Sequence, residues 1–266
     1  MNRSSFHPLL AALAVLSGTG MTHASPLDSD ADARLRALHA APDRAGSLVY
    51  RGRVHEPDAA RDAVPPYTYE RRVAPAGSGL SATHLTRDAR GELVISETAQ
   101  ITAGYALQRF EAINRQQGYS GSVIVSEDGR RLSYRLLRDD GQHTAQERVE
   151  HAVVAGPSLH GYIAEHWDAL MAGATLPVRM VVLAKMTTYG FEIRRHAPAT
   201  NRAVFTVTPT QWLVRLAVAP LVVTFDPRTR EVVRYEGRVP PLRVVNGKPQ
   251  DFDARVDYTM LAPAYR

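Results

Sequence analysis

From Ser47 onward, apolar and polar positions alternate in short runs, the period of half-buried strands. Ser47–Glu56 (SLVYRGRVHE), Tyr67–Val73, Ala82–Thr86, Leu93–Glu97, Ser122–Ser126, Arg131–Leu137 and Glu147–Val154 carry this pattern. Asp128-Gly129 separates two of the runs and favours a tight hairpin turn, because glycine accepts a positive φ cheaply. One run then changes period. Leu159, Tyr162, Ile163, Trp167, Leu170 and Met171 recur at helical spacing, after Ser158 as a candidate N-cap and before Gly173 as a candidate stop. Strand runs resume at Val178–Lys185, Tyr189–Arg195 and Ala203–Thr208. A second short helix is expected over 209–219, with Thr208 as cap, Pro209 in the first turn, Gln211 completing a capping box and Pro220 as terminator. Leu221–Phe225, Glu231–Glu236 and Ala254–Met260 close the series, with Asn246-Gly247 as the last turn.

This order predicts a mainly β protein. The expected architecture is a strongly curved antiparallel sheet, or incomplete β-barrel, clasping one amphipathic helix (158–172) and one short apolar helix (209–219). Three parts follow along the chain: a signal peptide over 1–24, an N-terminal segment over 25–46 with a short helix at Ala31–Ala40, and one β-rich domain over 47–266. The signal is read from Arg3, the apolar stretch Leu9–Leu16, and small residues at Thr22 and Ala24. Eight apolar residues fall well short of the ~20 a membrane-spanning helix needs. Export to the periplasm is the expected localisation.

Composition narrows the chemistry. The chain has no cysteine, which excludes thiolate catalysis, cysteine-ligated metals and a lipidated N-terminal cysteine. A core from this length of chain can stabilise an exported protein without disulfides. The net charge of +5 is spread out; its densest clusters are the doublets Arg71-Arg72, Arg130-Arg131 and Arg194-Arg195. No basic stripe with interleaved aromatics points to nucleic acid, while weak attraction to anionic lipid is compatible with the charge.

The densest ionisable cluster is His160, Glu165, His166 and Asp168. Metal-binding histidines on a helix favour i,i+4 spacing; here the spacing is six, so the rings diverge and no metal site is expected. No G-x-S-x-G, H-E-x-x-H, P-loop or dinucleotide fingerprint occurs, so no catalytic residue and no cofactor is assigned.

The segment VVTFDPRTREVVRYEG, followed by Asn246-Gly247-Lys248 and by ARVDY, resembles the closing hairpins of LolA-like periplasmic proteins. The resemblance covers Phe205 to Tyr258. It implies a curved, incomplete barrel with helices in its open side, an apolar cavity and a role in the envelope.

The leading functional expectation is a non-enzymatic envelope protein that binds a lipid, an acyl chain or an envelope partner. The residues expected to line its ligand site are Tyr162, Ile163, Trp167, Met171, Trp212, Leu213, Arg215 and Leu216. Arg215, the one charge in its segment, is expected to pair an acid such as Glu192 or a ligand anion. Two alternatives stand beside it. One is a periplasmic hydrolase using Glu165 and a histidine. The other is an outer-membrane barrel, disfavoured by short strands, capped helices and the terminal Tyr265-Arg266.

Overall fold

The computed structural model describes residues 27–60, 62–196 and 201–262. The expected signal, residues 1–24, lies outside the described residues, as do Tyr265 and Arg266.

A helix, α1 (Ser29–Ala40), opens the described chain. Asp28 caps it by accepting from the amides of Asp30 and Ala31. Its Ala31 and Leu35 are buried against Leu85, Leu93 and Ile113 of the sheet, so this helix is docked rather than free. Eight strands follow: β1 (Ser47–His55), β2 (Tyr67–Ala76), β3 (Gly79–Asp88), β4 (Leu93–Ile101), β5 (Leu107–Asn114), β6 (Tyr119–Val125), β7 (Arg131–Arg138) and β8 (Gly141–Arg148). After the short β9 (Ala152–Val154) come two helices, α2 (Gly156–Glu165) and α3 (Trp167–Met171). The second strand series is β10 (Thr175–Val182), β11 (Thr187–Arg195) and β12 (Ala203–Pro209). Helix α4 (Trp212–Ala217) separates it from β13 (Leu221–Asp226), β14 (Glu231–Val245) and β15 (Lys248–Met260).

All fifteen strands form one sheet. Its order runs from β8 back to β1, crosses to β15, and runs down to β9. Every pairing is antiparallel except β9 with β10, which is parallel. The ladder is open, with β8 and β9 as its two edges. Side chains bridge the seam: Glu147 of β8 accepts from Arg179 of β10 and from the amide and hydroxyl of Thr188 of β11.

The sheet wraps around α2 and α3. His160 of α2 meets rings from β1 (Tyr50), β13 (Phe225), β14 (Tyr235) and β15 (Tyr258). Trp167 of α3 packs edge-on to Phe205 and Phe225, with centroids 5.4 and 5.7 Å away. Each such pair is worth about 0.5–1.5 kcal/mol beyond simple burial. The approach is close: a Cβ on Gly161 would fall 1.8 Å from the Tyr105 ring.

Four details depart from the sequence pattern. The expected 158–172 helix is two pieces, broken at His166, and Ser158 sits inside the first turn, exchanging hydrogen bonds with the backbone of Ala155. Pro209 belongs to β12 rather than opening α4, which leaves that helix only six residues long. Leu107–Asn114 forms a strand that the alternation did not single out. The run Glu147–Val154 is divided between β8 and β9.

Candidate functional site

The eight expected ligand residues separate into two groups. Tyr162, Ile163 and Trp167 are buried within the core and Met171 packs partly buried against it. The Met171 carbonyl accepts from Arg195. The α4 residues face outward: Trp212 is 68 % exposed, Leu213 59 % and Leu216 78 %. The two groups therefore do not line one cavity. The physical reason is volume, since the concave side of the sheet is occupied by α2, Trp167 and the phenylalanines beneath it. Arg215 is exposed, and its Nε donates to the Pro209 carbonyl at 2.6 Å. Its expected partner Glu192 pairs with Arg194 instead, at 2.5 Å.

Strand register places other exposed apolar side chains near α4. The C-terminal ends of β1, β12 and β14 and the N-terminal ends of β13 and β15 share one rim of the sheet. That rim carries α4, the loop after β1 with exposed Val64, and the β14–β15 hairpin with exposed Val244. Arg238 ties the hairpin to the helix by donating to the Ala217 carbonyl. The segments 209–223 and 237–250 hold Arg215, Arg238, Arg243 and Lys248 and no carboxylate. Flanking acids partly compensate: Arg238 pairs with Asp251 and Asp253, and Arg243 lies 3.5 Å from Glu56.

Inside the barrel lies a polar row that sequence reasoning missed. Tyr50, Arg71, His84 and Glu97 are consecutive cross-strand partners on β1 to β4, all facing α2. Arg71 is fully buried; it donates to the Pro157 carbonyl in the first turn of α2 at 2.5 Å and touches His84 Nε2 at 3.0 Å. His84 Nδ1 is bonded to the Tyr69 hydroxyl, and Tyr50 to His160 Nδ1 at 3.2 Å. Burial, reinforced by Arg71, lowers the pKa of His160 to about 3 and holds that of His84 well below its usual range. The Glu97 side chain, on a residue 9 % exposed, forms no hydrogen bond or ion pair among the described residues, and burial raises its pKa to about 7. The row anchors the helix inside the sheet. Its signal was available: Tyr67, Tyr69 and Arg71 share one face by period two, so an arginine fell at a core position.

The hydrolase alternative finds no support in this geometry. Glu165 is exposed at the end of α2, whereas His160 is buried against Tyr50. His166 Nδ1 lies 3.0 Å from the Tyr162 carbonyl and its ring stacks on Tyr162. Among the described residues, no three His, Asp or Glu side chains are grouped to hold a metal, and no helix is long and apolar enough to cross a membrane. A transmembrane barrel would need a closed ladder with an apolar outer face. Here the ladder is open, and β8 presents Gln142, Thr144, Gln146 and Arg148 to solvent.

No family model matches the chain, and no curated protein matches it. Among solved structures it is similar to a β-barrel-like protein of a domain of unknown function, DUF1849, from Brucella abortus. The two share 7 % identity, the alignment covers 82 % of this chain and 98 % of that one, and the TM-score is 0.39, too low to bear on function. The resemblance to LolA-like proteins therefore rests on the C-terminal residues alone.

Proposed function

We propose that this is an exported, non-enzymatic protein of the cell envelope that engages an anionic lipid surface through the rim bearing α4. The exposure of Trp212, Leu213 and Leu216 on one six-residue helix carries the reading. Large apolar side chains that stay in water on a folded protein gain about 1.5–3 kcal/mol each when fully buried. Tryptophan favours the membrane interface, where one edge of its ring is apolar and the other wet. The arginines and lysine on the same rim complement anionic head groups. Trp167 and the apolar residues of α2 are packed into the core rather than left facing an open space, which favours surface engagement over an enclosed guest.

Co-sedimentation with vesicles of phosphatidylcholine, with and without phosphatidylglycerol, tests this. The wild-type chain should sediment with the anionic vesicles, and Trp212→Ser with Leu216→Ser should weaken binding at least tenfold. Added salt should weaken binding without abolishing it, because screening acts on charges and not on apolar burial. Equal sedimentation of the wild type and the double variant would remove the proposal.

A further inference from the structure

The doublet Arg130-Arg131 has no role in the rim or in the polar row. Most arginines of the barrel stand beside a carboxylate, as Arg72 does with Glu70 and Asp43, Arg179 with Glu147, and Arg234 with Asp257. Arg130, Arg131, Arg135 and Arg148 form no salt bridge among the described residues, and all four are exposed on the strands at one edge of the sheet or in the turn before them.

Register sharpens the contrast. Arg131 of β7 and Arg148 of β8 are direct cross-strand partners. Their Cα atoms therefore lie about 4.5–5.5 Å apart with both side chains on one face. Like charges directly opposite destabilise a strand pair. Asp128, in the preceding turn, forms no salt bridge with any of the four among the described residues; its carboxylate accepts from Ser126 and from the Arg130 amide. Glu147 is taken up by Arg179, Thr188 and the Tyr134 hydroxyl.

The two guanidiniums border an open groove of about 460 Å³. Ser126, Ser133 and Gln146 supply uncharged hydrogen-bonding groups to it, Ile124 and Leu132 apolar walls, and Glu147 completes the lining with its carboxylate engaged by Arg179 and Thr188. Arg135 continues the row two residues beyond Ser133, about 7 Å further along β7.

We infer that this groove binds a phosphate group, held between Arg131 and Arg148. Two guanidiniums present planar forks of donors that match phosphate oxygens pairwise, which a single lysine does not. A bound dianion would turn the repulsion across β7 and β8 into two charge-assisted contacts. Ser133 and Gln146 stand one step along the same face to receive the group that bears the phosphate. The site is independent of the α4 rim.

Titration of the full chain with inorganic phosphate, at ionic strength held constant with chloride, tests the inference. Melting temperature and isothermal calorimetry are the readouts. The wild type should show a saturable rise in melting temperature. Arg131→Gln and Arg148→Gln should each weaken phosphate affinity at least tenfold, and the exposed control Arg44→Gln should leave it unchanged. Both groove variants should fold, since each removes a repulsion. A response no larger than that to chloride, or one retained in both variants, would overturn the site.

Vesicles of phosphatidylcholine with phosphatidic acid separate the two sources of phosphate. In a Trp212→Ser, Leu216→Ser background, which removes the rim's contribution, residual vesicle binding that is lost on adding Arg148→Gln identifies a lipid head group. A phosphate response in solution with vesicle binding insensitive to Arg148→Gln identifies a soluble phosphate compound. Because Trp212→Ser spares the groove, failure of the rim proposal and failure of this one give different results.

Discussion

The two tryptophans sit on short apolar helices with similar sequence character and opposite fates. Trp167 is 5 % exposed, wedged between Phe205 and Phe225. Trp212 stands in water on α4. Composition does not distinguish them, but continuity does. The first helical run extends from Gly156 to Met171 with one break, long enough to cross the concave side of the sheet. The second is cut to six residues between a strand ending at Pro209 and Pro220. That short helix has no buried residue, while α2 and α3 pack into the core. An apolar segment is thus buried only if a site of matching size is left for it, and one left outside marks a surface available to something else.

The largest expected effect tests this contrast directly. Trp167→Ala should cost about 3–5 kcal/mol of stability in denaturant unfolding, the range for deleting a large buried aromatic. Trp212→Ala should stay within about 0.5 kcal/mol of wild type. Comparable losses at the two sites would mean that α4 is part of the core.

The polar row sharpens the same comparison, because only the buried helices have it beneath them. His84 and His160 hold folded pKa values below the unfolded value near 6.5, so the unfolded chain binds protons first. The stability they contribute is present above pH 6.5 and is lost as pH falls below it. His55, lowered by burial and by Arg53 and Arg255, acts in the same direction. Glu97 has the opposite sign. Its folded pKa of about 7 lies above its ordinary 4.5, so its cost appears as pH rises from 4.5 to 7. Glu97→Gln should therefore stabilise the protein at pH 8 by on the order of 3 kcal/mol and have little effect at pH 4. Urea unfolding at the two pH values gives the comparison, and a pH-independent effect would contradict this account of the row.

The smallest effect belongs to the edge of the sheet. Arg148→Gln should raise stability by about 0.2–1 kcal/mol in the absence of phosphate, by relieving its repulsion with Arg131. A loss of stability would show that Arg148 has a stabilising role in the free protein.

Most of the strands were legible because alternation is local. Asp128-Gly129 and Asn246-Gly247 mark real turns, with positive φ at Gly129, Asn246 and Gly247. The curved open sheet around a helix followed from strand order and from the one long apolar face. What could not be read was set by tertiary competition. Nothing local says that Leu213 and Leu216 find no room inside, or that Arg71 is tolerated in the core because Pro157 of α2 offers it a carbonyl. Leu107–Asn114 was missed because its regular core, Arg109 to Ala112, is only four residues long; the register shifts beside Leu107, and Ile113 is buried on the opposite face against α1. The phosphate groove was hidden for a related reason: Arg131 and Arg148 become neighbours only through the pairing of β7 with β8.

Tryptophan emission gives the most direct test of the central claim. In a Trp167→Phe chain, Trp212 is the sole tryptophan. Its emission should shift to the blue, and its quenching by iodide should fall, when vesicles containing phosphatidylglycerol are added. A Trp212→Phe chain, reporting on Trp167, should show neither change. Silence at Trp212 together with a response at Trp167 would place the guest inside the barrel and contradict the account.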